Sequence, residues 1–431
     1  MMYKPYSLQN FREIPQMKFL SEEQKFGIEV VGTVLPFKTD NYVVDELIDW
    51  SNFEKDPFFI LNFPQREMLR EKDFSKVASL LKQNVPRAGM LNEVKKIRMK
   101  LNPNPAEQES NVPEFKGKRL NGIQHKYREI MLFFPTQGQT CHAYCTYCFR
   151  WPQFALNEFK FAMKEADQMV EYLKANTHIT DVLFTGGDPA VMKTKFFEHY
   201  FDALLEANIP HLRNIRIGTK SLTYWPYRFT SDPDADELLR LFGKVKKRGI
   251  NVALMAHINH PGELKTPAAK EAVNRLLNAG VQIRAQSPLL KHINDRSEIW
   301  AGNWKEQVSQ GIIPYYMFVA RDTGAQDYFA VTLNRAWQIY RSAYSQVSGI
   351  ARTVKGPSMS CSPGKVQITG VTEIKGQKVF VLNFIQGRDP SWVGKPFFAR
   401  FDPHAVWFDE LKPAFGEPDF FYEQSYHEML A

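Results

Sequence analysis

The sequence predicts an α/β chain built from six strand–helix repeats, and two patterns carry that reading. Short apolar runs occur at 131–134, 181–185, 213–218, 251–257, 281–286 and 313–319. Between them, apolar residues recur at helical spacing over 159–175, 194–207, 235–248, 266–279 and 297–310. Strands separated by helices of this length need right-handed crossovers, which set the strands parallel in one sheet. Six such strands fit a partial (β/α)6 barrel, short of the eight that close a full one. An open doubly wound sheet shows the same alternation and stays open at this point.

Flanking segments have a different texture. Residues 1–110 read as a mostly helical extension, with helical spacing over 22–33 and 66–83. Asn102-Pro103-Asn104-Pro105, followed by Ala106-Glu107-Gln108-Glu109-Ser110, reads as a linker, so the barrel is expected over 111–346. Residues 347–431 form a third segment. In it, 356–364 reads as a Gly, Pro and Ser loop, and 366–368 and 378–382 as strands joined by a turn at Lys375-Gly376. The aromatic, Pro-rich tail 388–431 is expected to cap the barrel.

Composition narrows the function classes. Hydrophobic residues make up 44% and charged residues 24%, which excludes a disordered or fibrous chain. The 55 basic and 47 acidic side chains leave a net charge of +8, but the excess is scattered. The densest run, Lys244 to Arg248, ends an expected helix, where the dipole favours cations. Nucleic acid is therefore not an expected partner. No stretch approaches the ~20 apolar residues of a membrane span, and the first residues lack the apolar core of a signal peptide. A cytoplasmic enzyme without a membrane partner is the expectation.

Cysteine placement is the sharpest signal. Three of the four cysteines form Cys141-x3-Cys145-x2-Cys148, directly after the first expected strand. In a βα architecture that is the carboxyl-end face, where loops build active sites. A 4Fe–4S cluster usually takes four thiolates, so three would leave one iron open to a ligand. A zinc site using His142 would need a second pair of ligands from another segment, and none is evident. After the second strand comes Thr185-Gly186-Gly187-Asp188-Pro189, whose glycines let backbone approach a ligand closely.

The cysteine motif resembles that of radical S-adenosylmethionine (SAM) enzymes. The wider set resembles the lysine 2,3-aminomutase family. It comprises Cys148-Phe149-Arg150, the Gly-Gly-Asp-Pro segment, Ile215-Arg216-Ile217-Gly218-Thr219, His257-Ile258-Asn259-His260-Pro261, Gln286-Ser287-Pro288 and Pro314-Tyr315-Tyr316. The likeness runs from about 120 to 385, and more weakly upstream through Leu47-Ile48-Asp49-Trp50 and Asp56-Pro57.

The resemblance implies a partial (β/α)6 barrel of the radical SAM type. It assigns the cluster to Cys141, Cys145 and Cys148, with SAM on the open iron and a 5′-deoxyadenosyl radical released on reduction. Gly186, Gly187, Asp188, His260 and Gln286 would contact SAM. The family also uses pyridoxal 5′-phosphate (PLP). Counting forward from Ser348-Gly349 places its Schiff-base lysine at Lys365, and Arg128 matches a cofactor-binding arginine. Arg150 would bind the substrate carboxylate.

The implied activity moves an amino group from the α to the β carbon of an amino acid. Lysine-acting members hold the distal ammonium with two aspartates. Here Arg321 and Ser358 fall at those positions, so a substrate other than free lysine, such as glutamate, is expected. An electron donor such as flavodoxin or ferredoxin and a homo-oligomer complete the implied partners. A radical SAM enzyme without PLP, acting on another small molecule, tRNA or protein, is the alternative. With no cysteine after Cys361, no C-terminal zinc site is expected.

Overall fold

The computed structural model describes residues 1–103, 111–155 and 161–430. Most of the expected linker, 104–110, lies outside the described residues, as do 159 and 160 of the first expected barrel helix.

An eleven-stranded sheet forms the centre. Strand β1 (Ile123–Tyr127) pairs antiparallel with β2 (Ile130–Phe133). Then β3 (Asp181–Phe184), β4 (Asn214–Thr219), β5 (Asn251–His257), β6 (Gln282–Leu289), β7 (Ile313–Val319) and β8 (Lys355–Ser360) follow. Each of these pairs in parallel with the strand before it, starting from β2. The antiparallel strands β9 (Gly364–Ile374), β10 (Gln377–Gly387) and β11 (Pro396–Arg400) complete it.

Strand order follows chain order without a reversal. A doubly wound sheet reverses direction at a switch point and so carries helices on both faces. One-way winding instead puts every right-handed crossover on the same face, which is the partial-barrel arrangement. The edge strand β1 does not pair with the β8–β9 region across the barrel, yet side chains link the two. The Lys126 amine on β1 donates to the Cys361 carbonyl between β8 and β9. Arg388 donates to Asn111 Oδ1 at 2.6 Å.

Helices α1 (Glu22–Val34), α2 (Pro57–Asn62), α3 (Glu71–Lys82) and α4 (Arg87–Lys100) precede the sheet. Between the parallel strands lie α5 (Ala166–Ala175), α6 (Thr194–Glu206), α7 (Ala235–Lys247), α8 (Pro267–Asn278), α9 (Ser297–Ser309) and α10 (Leu333–Ser345). Strand side chains alternate between these helices and the barrel interior. In β4, Ile215 and Ile217 join the core, while Arg216 and Gly218 face inward. Phe133, Phe184, Leu254 and Ile283 meet Met169, Phe201, Phe242 and Leu276 in the same core. Burial of such residues, at ~25 cal/mol per Å² of apolar surface, is what holds the sheet to its helices.

Two segments differ from expectation. Residues 356–364 contain a seventh parallel strand, β8, rather than a loop throughout. Its glycine answers a steric demand: a Cβ on Gly356 would sit 2.6 Å from the Met317 carbonyl oxygen of β7. The first barrel helix starts only at Ala166, because Met163 is held in a bridge to Pro135 ahead of it.

Residues 1–101 cover the carboxyl ends of the strands. Their apolar cluster takes in Trp151, Tyr224, Leu290 and Phe329, which follow β2, β4, β6 and β7. At the other end of the chain, Trp392, Trp407, Phe408 and Tyr422 of the tail pack on Met359, Ile368 and Phe384. Among the described residues no helix is long and apolar enough to cross a membrane.

Two glycine substitutions test the packing. Gly356→Ala is expected to lower stability by about 1–3 kcal/mol, through overpacking against β7. Gly243→Ala, inside α7 with nothing within 4 Å of the added carbon, is expected to raise it by about 0.5–1 kcal/mol. Paired thermal melts should move in opposite directions.

Candidate active site

A cavity of about 360 Å³ occupies the concave face of the sheet. Side chains from β1 through β10 line it, together with the loops at the carboxyl ends of the parallel strands. Cys141, Cys145 and Cys148 border this cavity, and so do Gly186, Gly187, Arg150, Gln286, Arg321 and Lys365. Residues separated by more than two hundred positions thus share one chamber.

The cysteine loop is held from three sides. Lys38 Nζ donates to the Cys141 carbonyl at 2.7 Å, and Tyr3 Oη to the His142 carbonyl at 2.6 Å. Thr146 donates its N–H to the Leu61 carbonyl at 2.9 Å. From the barrel side, Asp188 donates its N–H to the Thr140 carbonyl at 2.7 Å. The double glycine makes this approach feasible. A Cβ on Gly187 would lie 2.5 Å from the Thr140 oxygen, and Gly186 adopts φ +131°, a conformation that other residues resist.

All three thiols are unpaired, and burial pushes each above its ordinary pKa, Cys148 to about 12. Only a bound metal would hold them as thiolates in such a place. Among the described residues, no group of three or more His, Cys, Asp and Glu gathers closely enough to enclose one ion. The three cysteines stand on one loop at x3 and x2 spacing and all border the chamber, so they could hold a thiolate-ligated iron–sulfur cluster there.

Charge in the chamber is one-sided. Lys126, Arg150, Arg216, Lys220, Arg321 and Lys365 line it, and among the described residues Asp188 is the only carboxylate to do so. That carboxylate is fully committed. Its oxygens accept from the backbone of Ala190, Lys220 and Ser221 and from the hydroxyls of Thr219 and Ser221, at 2.8–3.0 Å. Asp188 therefore positions loops rather than offering a free carboxylate. Lys220 is committed too: its ammonium donates to the His257 carbonyl, Asn259 Oδ1 and the buried Glu263.

Among the described residues Arg150 has no such partner. Its guanidinium lies 4.7 Å from the Phe134 ring and 5.0 Å from the Phe149 ring, and burial lowers its pKa to about 10. A buried cation held on aromatic faces is a waiting anion site. Arg321 donates to the Ser360 carbonyl at 2.8 Å, and its neighbour Asp322 does not line the chamber.

Lys365 sits on β9 opposite Ser360 of β8. Its Nζ donates to Gln386 Oε1 at 3.1 Å and lies 4.1 Å from the Tyr316 ring centre. Burial, followed by the charges of Arg216, Lys126 and Lys355, lowers its pKa to about 7. Half of this lysine is then a neutral, nucleophilic amine near pH 7.

Three expected residues lie elsewhere. Arg128 is exposed beyond the end of β1 and pairs with His178 at 3.1 Å, whereas Lys126 is the cation that faces the chamber. His260 accepts from the Gly262 N–H at 3.2 Å, packs on Phe58, and caps a short helical turn. The histidine in the chamber is His257, which meets Gln286 Nε2 at 3.0 Å; burial keeps it neutral, with a pKa of about 3. Ser358 is fully buried, with its hydroxyl on the Met317 carbonyl at 3.4 Å, and does not line the chamber. The signal that finds the inward residues is the strand period. Alternation in Ile123–Tyr127 and Asn214–Thr219 puts Gln124, Lys126 and Arg216 on the inner face.

Replacing any one of Cys141, Cys145 or Cys148 by alanine should abolish stable iron–sulfur loading on anaerobic reconstitution, read as iron and sulfide per chain. Cys361→Ala should load normally, because this buried thiol does not line the chamber.

Comparison with known proteins agrees with this geometry. No family model matches the sequence. A protein of Aquifex aeolicus, provisionally named L-lysine 2,3-aminomutase, is 30% identical over 94% of this chain and 96% of its own length. The L-lysine 2,3-aminomutase of Haemophilus influenzae is 32% identical over 54% of this chain and 67% of its own. The glutamate 2,3-aminomutase of Clostridioides difficile is 30% identical over 53% of this chain and 51% of its own. A solved structure, native anSMEcpe with bound AdoMet, covers 50% of this chain and 59% of its own with a TM-score of 0.38 and 14% identity, too slight to add weight. The end-to-end relative and the shared chamber of three thiols, paired glycines and cations lead to one conclusion: the chain belongs to the lysine 2,3-aminomutase family of radical SAM enzymes, whose chemistry calls for a 4Fe–4S cluster and SAM.

Proposed function

We propose that this enzyme is a PLP-dependent amino-acid 2,3-aminomutase whose substrate carries an anionic side chain, with glutamate as the simplest example. The observation that carries the reading is Lys365, a buried amine with a pKa near 7 inside the chamber that the cluster cysteines border. A structural lysine has no need of that environment, whereas a Schiff-base lysine must be neutral to react.

Each residue has a distinct task. Cys141, Cys145 and Cys148 would hold the cluster, and the close backbone of Gly186 and Gly187 leaves room for the polar end of SAM. Lys365 would anchor PLP, with Lys126 and Arg216 supplying positive charge for its phosphate. When bound, the cluster with SAM supplies a hydrogen-abstracting carbon radical, and PLP delocalises the unpaired electron while nitrogen migrates. Arg150 would take the substrate α-carboxylate through a bidentate contact. The rings of Phe149, Tyr316 and Phe318 exclude water around these groups. A one-electron donor such as flavodoxin or ferredoxin would supply the reducing equivalent.

Charge decides the substrate class. Among the described residues that line the chamber, a lysine ammonium would meet Arg321, and no carboxylate but the committed Asp188. Like charges 4 Å apart repel by ~4 kcal/mol at an effective dielectric near 20. A carboxylate in the same place gains a charge-assisted hydrogen bond of about 1.5–3 kcal/mol.

Two outcomes follow. PLP uptake by the apoprotein, read by visible absorbance, should slow as pH falls below about 7, with only ~10% of Lys365 neutral at pH 6, and should fail to label Lys365→Ala. In turnover assays, L-glutamate should outperform L-lysine, and Arg321→Ala should weaken glutamate use by about 10–100-fold. Lysine as the clearly better substrate would refute the assignment.

A further inference from the structure

Strand β10 breaks its alternation at one place. Phe380, Leu382 and Phe384 pack in the apolar core under the tail, so strict alternation would send Gln386 there too. Pairing with β9 prevents this. Lys365 lies opposite Gln386, but the next residue, Val366, lies opposite Phe384, which leaves Ile385 as an extra residue in β10. A bulge of this kind re-aims a side chain beside it. Gln386 therefore lines the chamber next to Lys365, while Val366 and Phe384 both stay in the core. Gly364 lets the two strands close up here, since a Cβ on it would collide with the Gln386 carbonyl oxygen.

The re-aimed side chain meets an amine. Lys365 Nζ donates to Gln386 Oε1 at 3.1 Å. Around that amine stand cations from three other strands, Lys126 of β1, Arg216 of β4 and Lys355 of β8. Arg216 is itself paired with Asp181 at 2.6 Å, and the Tyr316 ring of β7 covers the amine at 4.1 Å. Gln386 is thus a neutral acceptor in a cationic setting. A side-chain carbonyl can orient an amine without the negative charge that would hold it as ammonium. With one N–H directed to that carbonyl, the nitrogen lone pair is left for an electrophile.

We infer that Gln386 is a positioning residue for Lys365, turned inward by the β10 bulge so that its side-chain carbonyl holds the amine for attack on the PLP aldehyde. In that step the Nζ lone pair forms a bond to the aldehyde carbon. The carbon–oxygen bond breaks, and the oxygen leaves as water with both amine protons, giving a C=N bond. This inference rests on the proposed role of Lys365 as the PLP anchor.

The test uses the full chain with its cluster reconstituted and PLP removed. Uptake at saturating PLP is followed by stopped-flow visible absorbance from about pH 6 to about pH 9. Borohydride trapping and peptide mapping then locate the adduct. Gln386→Leu, which lacks the acceptor, should form the adduct about tenfold more slowly at every pH. Gln386→Glu keeps an acceptor but adds a charge. It should move the pH midpoint of the rate upward by about one unit or more, and recover much of the wild-type rate above that midpoint. A wild-type rate in Gln386→Leu would overturn the inference, as would an unchanged midpoint in Gln386→Glu. Equal slowing by both variants at every pH would reduce the role to packing and overturn it too. If Gln386→Leu does not fold, the midpoint of Gln386→Glu decides alone. The underlying assignment is read separately, from the wild type. An adduct on a lysine other than Lys365, or no adduct, would remove the anchor and this inference with it. An adduct on Lys365 together with wild-type uptake in both variants would overturn the role of Gln386 alone.

Discussion

A single buried carboxylate joins the parts that must meet. Asp188 receives five hydrogen bonds, from the turn after β3 and from the carboxyl end of β4, while its own N–H fastens Thr140 at the entrance to the cysteine loop. Burial alone would drive an acid toward its neutral form, and these donors oppose it. Losing one partner would leave a buried charge underserved, at a cost of a few kcal/mol. The geometry is therefore all-or-none. The cysteine loop, the double glycine, and the carboxyl end of β4 at Thr219 and Lys220 hold their places together.

Around that knot the described lining of the chamber is mostly cationic, although Arg216 pairs with Asp181 at 2.6 Å and Lys220 pairs with Glu263. Burial lowers Arg150 and Lys365 from their ordinary values, and neighbouring cations lower them further. Buried like charges are costly unless something anionic arrives. On the proposed function a thiolate-ligated cluster, a phosphate and substrate carboxylates would all be anionic, and binding them would relieve the mutual repulsion of these side chains. The same electrostatics that tune Lys365 toward a neutral amine also select the ligands.

Legibility in the sequence follows chain locality. The cysteine loop and the Gly186-Gly187 turn are contiguous, and their chemistry is visible in residue type and spacing alone. Lys365 is picked out in the sequence by register, and the structure places it in the chamber on a strand rather than in a loop. Expectation and structure part where the outcome depends on which face of an element a side chain takes. Arg128 lies two residues past Lys126, beyond the last residue of β1, and so points away from the chamber. His260 lies three residues past the end of β5 and is used up as a cap, which leaves His257 inside. Strand β8 is hidden in the sequence because Gly356 and Pro357 read as loop formers, whereas the glycine is demanded by the β7 backbone, a neighbour about forty residues away in the chain that no local pattern reveals.

The open edge of the barrel explains why both chain ends matter. A closed barrel would bury every strand between two others, whereas here β1 and the β8–β9 junction face each other across a gap. Among the described residues, side chains span it, Lys126 reaching the Cys361 carbonyl and Arg388 reaching Asn111. Chain reversal after β8 then sets Lys365 beside Ser360 on the inner face, next to that gap. The cysteine loop, at the other end of the strand order, is braced by residues 3, 38 and 61. Sheet curvature brings these two regions into one chamber, and neither would keep its place without the segment packed behind it. The barrel thus supplies the curvature and the inward cations, and the two extensions supply the fixity that radical chemistry needs to keep a reactive carbon away from water.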